Sequence, residues 1–301
     1  MNFVAGNNKK TIIAHSGSCH ADDVFAVATL VLWCKKHGYQ YQIIRTRDEK
    51  KIAEGNFVVD VGGVYDETLS RFDHHQKGGA GVRENTIPYA SFGLVWKTYG
   101  TELADDREIA LRFDTQFVCA IDAIDNGVSL YKKLFDDISV TDISSVVSMM
   151  QPTWQEADTT DEAFLDLVVL SQKIITRKLA HIRGQVALEV LVKDAYEKSS
   201  DKRIIILDTH VQARYALIAY PEPLFVISPR SDGGWSVYTV PVEFNSFESR
   251  KSLPREWSGL KGEELQSLSG VPDALFCHKD CFLCVAESKN GAIALAEKAL
   301  Q

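Results

Sequence analysis

The sequence predicts an α/β protein: a parallel-sheet domain followed by a smaller α/β domain. Three observations carry this. Over the first 60 residues, short apolar runs alternate with helical patterns; from about 89 to 198 the pattern is mainly helical; after 199, short strands return with a turn signal between two of them. Strands alternating with helices argue for a parallel sheet covered on both faces. A chain of 301 residues corresponds to two domains at about 100–200 residues each. The boundary is placed near residue 185, giving domains 1–185 and 186–301.

Residues 11–15 read as a short buried strand. Residues 21–37 are helical by length and by their apolar run, with Gly38 suited to follow the helix end. A second strand over 41–45, a short helix over 48–54 and a third strand over 57–60 complete the alternation. Helical segments follow near 89–99, 104–124, 142–150 and 161–197, with Gly100 and Gly127 as punctuation. Later, 203–207, 224–228 and 236–240 read as strands, with Asp232-Gly233-Gly234 as a hairpin turn between the last two. Helices over 263–269 and 291–300 and strands near 274–278 and 282–286 close the chain.

Hydrophobic residues make up 45% and charged residues 25%, the balance of a soluble globular protein, which excludes disorder and a collagen-like chain. The length excludes a scaffold that depends on disulfides. A net charge of −8 argues against a non-specific duplex-DNA coat and leaves short nucleic acids or nucleotides, for which a local basic pocket suffices. Residues 1–10 are polar and lack a signal-peptide apolar region. The longest nearly apolar run, 24–34, is too short for a bilayer and is bracketed by Asp22, Asp23, Lys35 and Lys36. Cys19, Cys34, Cys119, Cys277, Cys281 and Cys284 form no even framework, so they read as reduced thiols in a cytoplasmic compartment.

Ligands of parallel α/β sheets sit beyond the carboxyl ends of the strands. Two polar clusters fall at such ends. The first is His15-Ser16-Gly17-Ser18-Cys19-His20-Ala21-Asp22-Asp23, spanning a strand end, a loop and a helix start. The second is Val58-Val59-Asp60-Val61-Gly62-Gly63, an apolar strand ending on an Asp before two glycines. Arg71-Phe72-Asp73-His74-His75-Gln76 and Ile121-Asp122-Ala123-Ile124-Asp125-Asn126-Gly127 add further imidazoles and carboxylates. Mixed His/Asp ligation with little thiolate suits divalent ions such as Mn²⁺. One ion needs about three protein ligands, and this set offers more, which points to two ions sharing Asp60 and clamping a displacement at phosphorus. Asp23 and Asp122 read equally well as a cap or a solvated face; His37, His181 and His210 read as structural or exposed.

The ordered set resembles the DHH phosphoesterase superfamily, with Asp73-His74-His75 as the namesake triplet. Within it the chain is similar to the Myg-type (melanocyte-proliferating-gene) exonucleases over nearly its whole length. Further motifs carry this likeness: Tyr65-Asp66, Ser91-Phe92-Gly93-Leu94, Pro152-Thr153-Trp154, Ser246-Phe247-Glu248-Ser249-Arg250 and Trp257-Ser258-Gly259-Leu260. The resemblance implies a DHH-type catalytic domain, a C-terminal substrate-binding domain, and Mn²⁺-dependent 3′→5′ exonuclease action on RNA. By position it implies His15, His20, Asp22, Asp60, His74 and Asp125 as metal ligands, with Asp60 bridging, and Asp73 and His75 as orienting or proton-transferring groups.

His20 stands where many superfamily relatives carry Asp. Arg250 is expected to clamp phosphate, its guanidinium offering a bidentate fork, with Lys77 and Arg71 as further substrate contacts and Arg45 and Arg47 as additional candidates. The segment Cys281-Phe282-Leu283-Cys284-Val285 replaces a glycine-bearing stretch of the family. With Cys277 and His278 it offers four soft ligands for zinc, although consecutive residues on a strand face opposite ways. Alternative readings keep the metal site with a dinucleotide, cyclic dinucleotide or pyrophosphate substrate, or make the chain a nucleotide sensor without turnover. An RNA-binding scaffold is disfavoured, because Trp235, Tyr238, Phe244, Phe247 and Trp257 are not interleaved with basic residues. A homo-oligomer is compatible with all of these readings.

Overall fold

The computed structural model describes residues 8–301 apart from Asn245 and Phe247. The opening residues read for a signal peptide, up to residue 7, and Phe247 of the Ser246–Arg250 motif therefore lie outside the described residues. The chain divides into two units, one ending at Arg183 and one spanning Gly184–Gln301. No helix among the described residues is long and apolar enough to cross a membrane.

The first unit is built on β1 (Lys9–Ala14), α1 (Ala21–Lys36), β2 (Gln40–Arg45), α2 (Glu49–Glu54), β3 (Phe57–Val59), β4 (Tyr65–Asp66) and β5 (Arg71–Phe72). The sheet order is β2-β1-β3-β5-β4, parallel except for the antiparallel edge strand β4. Ile12, Ile13, Ala14, Val58, Val59 and Phe72 are all buried, as strands covered on both faces require. Helix α1 is buried along most of its length, from Ala21 through Val31 and again at Cys34, and so is apolar nearly all round. Strands β4 and β5 were not expected, since two residues are too few to show a period.

Helices α3 (Ser91–Ala104), α4 (Arg107–Phe113), α5 (Cys119–Asp125), α6 (Ile143–Met149) and α7 (Thr160–Lys198) follow. Helix α3 packs on α1, with the Phe25 and Phe92 rings 5.4 Å apart. Gly100 does not end this helix. It lies inside α3, where a β-carbon would come within 2.5 Å of the Trp96 ring. The segment expected to be one helix over 104–124 is α4 and α5 joined by a π-helical turn, Asp114–Val118. The wider turn lets Asp114 and Asp122 reach the same arginine, Arg83, at 2.8 and 2.7 Å. The division between the units falls inside α7.

The second unit contains β6 (Ile204–Ile206), β7 (Phe225–Pro229), β8 (Trp235–Thr239), α8 (Gly262–Ser269), β9 (Ala274–Cys277), β10 (Leu283–Ala286) and α9 (Lys289–Leu300). Its sheet order is β6-β7-β8-β10-β9, with only β6 and β7 parallel. The β7–β8 turn closes through Arg230 N–H donating to Gly234 O at 3.0 Å. Gly233 and Gly234 take φ of 95° and 77°, and a β-carbon on Gly234 would meet Ala286 O at 2.8 Å. Phe225, Ile227, Val237, Trp257, Leu265, Cys277, Cys284 and Leu295 form one core.

Candidate metal centre

Because β1, β3 and β5 are neighbours and parallel, their carboxyl ends fall along one edge of the sheet. Each delivers polar residues there: His15 after Ala14, Asp60 after Val59, and Asp73-His74-His75 after Phe72. Helix α1 starts at the same edge and brings Asp22 and Asp23; the end of α5 brings Asp125. His20 caps α1, and its backbone N–H donates to Asp23 Oδ1 at 2.9 Å. Asp23 is therefore a cap, and it is also buried and 3.0 Å from His15 Nε2.

Asp60 is the hub. Its Oδ2 lies 3.3 Å from His15 Nε2, and its Oδ1 lies 3.3 Å from His74 Nε2 and 3.4 Å from His75 Nδ1. Ser91 Oγ, at the start of α3, donates to Asp60 Oδ1 at 3.0 Å. Asp60 has φ 57°, a left-handed conformation that Asp tolerates better than most residues but that costs about 1–3 kcal/mol. The turn aims its carboxylate back over the strand ends. His74 Nε2 is also 3.2 Å from Asp125 Oδ2 and 3.9 Å from Asp22 Oδ2.

The electrostatics match the crowding. Burial alone disfavours protonation of His15 and His74, but hydrogen bonds and Coulombic attraction outweigh it. Asp23 and Asp60 hold His15 up at about 10, and Asp125 and Asp60 do the same for His74. Burial, then the neighbouring charges of Asp60 and Asp125, push Asp22 well above the usual carboxylate range. Burial opposes ionisation of Asp60, but the two imidazoles prevail and its carboxyl is lowered. Asp22 is fully buried and neither oxygen has a hydrogen-bond partner; His74 Nε2 sits among carboxylates without a well-directed bond. Orphaned buried donors and acceptors of this kind are costly, and a divalent cation coordinated by them removes the cost. The donor set therefore fits a metal. Among the described residues three groups bring their donor atoms within 4.8 Å of one another: His15, His20 and Asp60; Asp60, His74 and His75; and His20, Asp22 and Asp125.

A cavity of about 830 Å³ opens over these groups, lined by His20, Asp22, Asp60, His74, His75 and Asp125 and walled by Ser144, Ser148, Gln151 and Pro152. His75 is mostly exposed in it. Asp73 does not line it: one oxygen takes the Gly63 N–H at 2.6 Å, the other the His75 N–H at 3.0 Å and Nδ1 at 2.9 Å. Asp73 thus orients His75 and ties down the glycine turn after Asp60.

The residues read as substrate contacts have bonding partners of their own or are exposed. Arg71 donates to the carbonyls of Ala53, Gly55 and Leu69 and does not line the cavity. Arg250 donates through Nη1 to Tyr220 O at 2.6 Å and Pro223 O at 3.2 Å, and through Nη2 to Ile218 O at 2.9 Å. There it caps the carbonyls after the short helical turn Ala216–Ala219. Lys77 is exposed. Arg45 and Arg47 bond to the carbonyls of Gly17 and Ser16. Asp122, far from a solvated face, is fully buried against Arg83 and accepts the Gly93 N–H at 3.0 Å; burial nevertheless pushes it up to about 7. Arg83 and Gln151 carried no signal beyond their residue types, and Ser91 was marked only as part of the Ser91-Phe92-Gly93-Leu94 motif, without its role as the anchor of Asp60. Cys277, Cys281 and Cys284 are buried in the second core, and no group of three donor atoms among the described residues includes them.

Comparison with known proteins gives concordant family matches. The family model MYG1_exonuc, described as "Uncharacterised protein family (UPF0160)", matches residues 11–300. The MYG1 protein of Saccharomyces cerevisiae is 31% identical, with 97% of this chain and 96% of that protein covered. That of Caenorhabditis elegans is 30% identical, covering 95% and 94%. The human protein named MYG1 exonuclease is 29% identical, covering 95% and 84%. Among solved structures, RecJ from Thermus thermophilus in complex with Mn²⁺ aligns over 97% of this chain and 52% of that one, at 13% identity and a TM-score of 0.30. The chain thus spans about half of that structure's length.

Proposed function

From the premise that this chain belongs to the MYG1 exonuclease family, we propose that it is a metal-dependent phosphodiesterase that removes nucleotides one at a time from the 3′ end of RNA or short oligonucleotides. The observation that carries this is the cavity: carboxylates and imidazoles from adjacent strand ends and the start of α1, with Asp22 and His74 Nε2 buried and unpartnered, open into a space of about 830 Å³. That volume takes a nucleotide and is too small for a duplex. His15, His20, Asp22, Asp60, His74 and Asp125 would hold the divalent cations, two by the number of donors and Mn²⁺ by their chemistry. When bound, the cations supply neutralisation of phosphate charge and activation of water.

The chain's own residues do the rest. Ser91 keeps Asp60 in its left-handed turn. Asp73 fixes Nδ1 of His75, leaving Nε2 as the nitrogen that exchanges a proton over the cavity. Trp154 follows Pro152 of the cavity wall by two residues and is 91% exposed, offering a flat face to a base.

The test is turnover of short 5′-labelled RNAs with added Mn²⁺. Expected is a ladder shortening from the 3′ end, abolished by EDTA and reduced more than about 100-fold in Asp60→Ala, beyond the usual loss from an outer-shell partner. Hydrolysis of dinucleotides, cyclic dinucleotides or pyrophosphate with intact longer RNA would overturn the RNA reading.

A further inference from the structure

The loop between β1 and α1 carries His20, which belongs to two of the three donor groups, yet it has no strand or helix partner of its own. Gly17 takes φ 97°, a conformation that glycine adopts without strain. Side chains from elsewhere hold it peptide by peptide. Arg47 Nε donates to Ser16 O at 3.2 Å, and Arg45 donates to Gly17 O. Arg45 is itself pinned by Asp161 at 2.6 Å and lies over the Phe164 ring.

The third tie differs from these. Cys19 N–H donates to Gln151 Oε1 at 2.9 Å, and Gln151 Nε2 donates to Cys19 O at 2.8 Å. One primary amide thus satisfies both backbone groups of a residue 132 positions away, as a neighbouring strand would. Cys19 immediately precedes His20, and the His20 ring is exposed. Its other anchor is on the helix side, through Asp23. Gln151 also lines the cavity.

We propose that Gln151 is a positioning residue for His20: its two-bond clamp on the Cys19 peptide sets the backbone from which His20 reaches the cation. The proposal rests on the metal reading above. Chemistry explains the residue type. A primary amide accepts from an N–H through its oxygen and donates to a carbonyl through its nitrogen at the same time, and carries no charge. A carboxylate here would keep the first bond, lose the second, and add negative charge beside Asp22, Asp60 and Asp125.

The test uses the full chain and two readouts. The first is Mn²⁺ affinity by titration followed by electron paramagnetic resonance. The second, on metal-free protein, is alkylation of Cys19 with Cys34 as internal reference. Both thiols are buried, so each is protected in the folded chain and Cys34 reports any general opening. Expected for Gln151→Ala is about a 10-fold loss of Mn²⁺ affinity and about a 10-fold faster modification of Cys19 with Cys34 unchanged. Gln151→Glu, keeping one bond, falls between wild type and Gln151→Ala for Cys19. Wild-type affinity and wild-type Cys19 protection in Gln151→Ala would overturn the proposal. If Gln151→Ala labels Cys34 as fast as Cys19, the fold is lost and Gln151→Glu decides: wild-type protection and affinity there overturn the clamp. The alkylation readout needs no substrate, so absence of nuclease activity would fail the functional reading and leave this one standing.

Discussion

Four strands of the first unit's sheet run parallel, and their carboxyl ends carry buried charge; four strands of the second unit's sheet run antiparallel, and its buried polar side chains are hydroxyls. In the first unit His15, Asp22, Asp23, Asp60, Asp73 and Asp122 are all buried. In the second, the buried polar residues among those described are Ser228, Ser236, Thr239 and Ser269. Both sheets have five strands and apolar interiors, so core building does not account for the difference. Antiparallel hairpins return the chain to the same edge and satisfy it with turn hydrogen bonds. Parallel strands instead leave three chain ends side by side, where side chains must meet. Asp22, brought there by the start of α1 without a hydrogen-bond partner, is a cost to folding, one that a cation would relieve.

The sharpest way to break this comparison is to disturb one charged site and one apolar one. Gly93→Ala would set a β-carbon 1.8 Å from Asp122 Oδ2 and 2.7 Å from Arg83 Nη2. It is expected to cost roughly 3–5 kcal/mol, the range for breaking a buried ion pair, measured by urea unfolding. Leu295→Ala, in the second core, is expected to cost roughly 2–5 kcal/mol by leaving a cavity, with Mn²⁺ affinity unchanged. An equal loss of Mn²⁺ affinity in Leu295→Ala would show that the second core supports the metal centre.

Next in size is the cation itself. Mn²⁺ at 100 times its dissociation constant is expected to stabilise the protein by about 2.7 kcal/mol. The gain in amide-exchange protection should concentrate after β1, β3 and β5. A gain spread evenly over β7, β8 and β10 would contradict the assignment of the buried carboxylates as the binding site.

A separate effect is pH dependence without metal. His15 is raised from 6.5 to about 10 by Asp23 and Asp60, against the opposing effect of burial. Its contribution to stability is complete below pH 6.5 and is lost as pH climbs through about 10. Metal-free protein is therefore expected to weaken across that window, and His15→Gln to flatten part of the fall. Mn²⁺ affinity should rise over the same range, because a cation takes only the neutral imidazole. Stability that rose with pH in the metal-free protein would contradict this.

Residues adjacent in the chain declared much of this site. His15 and Asp60 follow apolar runs, and that local pattern is enough to place them at strand ends, whereas Asp73-His74-His75 stood out only by its residue types and motif order. The alternation of strand and helix is likewise local, because burial on one or both faces imposes a period on neighbouring residues. The family motifs preserve the order of these ends along the chain.

Only the tertiary structure decided the rest. Arg45, Arg47, Arg71 and Arg250 have the right chemistry for phosphate, and a guanidinium on a long stem pairs with whichever acceptor packing brings near; here these are backbone carbonyls and, for Arg45, also the Asp161 carboxylate. The two-residue strands β4 and β5 exist because β3 offers an edge, not because of a pattern of their own. Gln151 and Arg83 act across long sequence separations, on Cys19 and on Asp114 with Asp122. No spacing rule links such pairs. They meet because α6 and the π-helical turn pack where they do, and hydrogen bonds then select the side chains that can satisfy both ends.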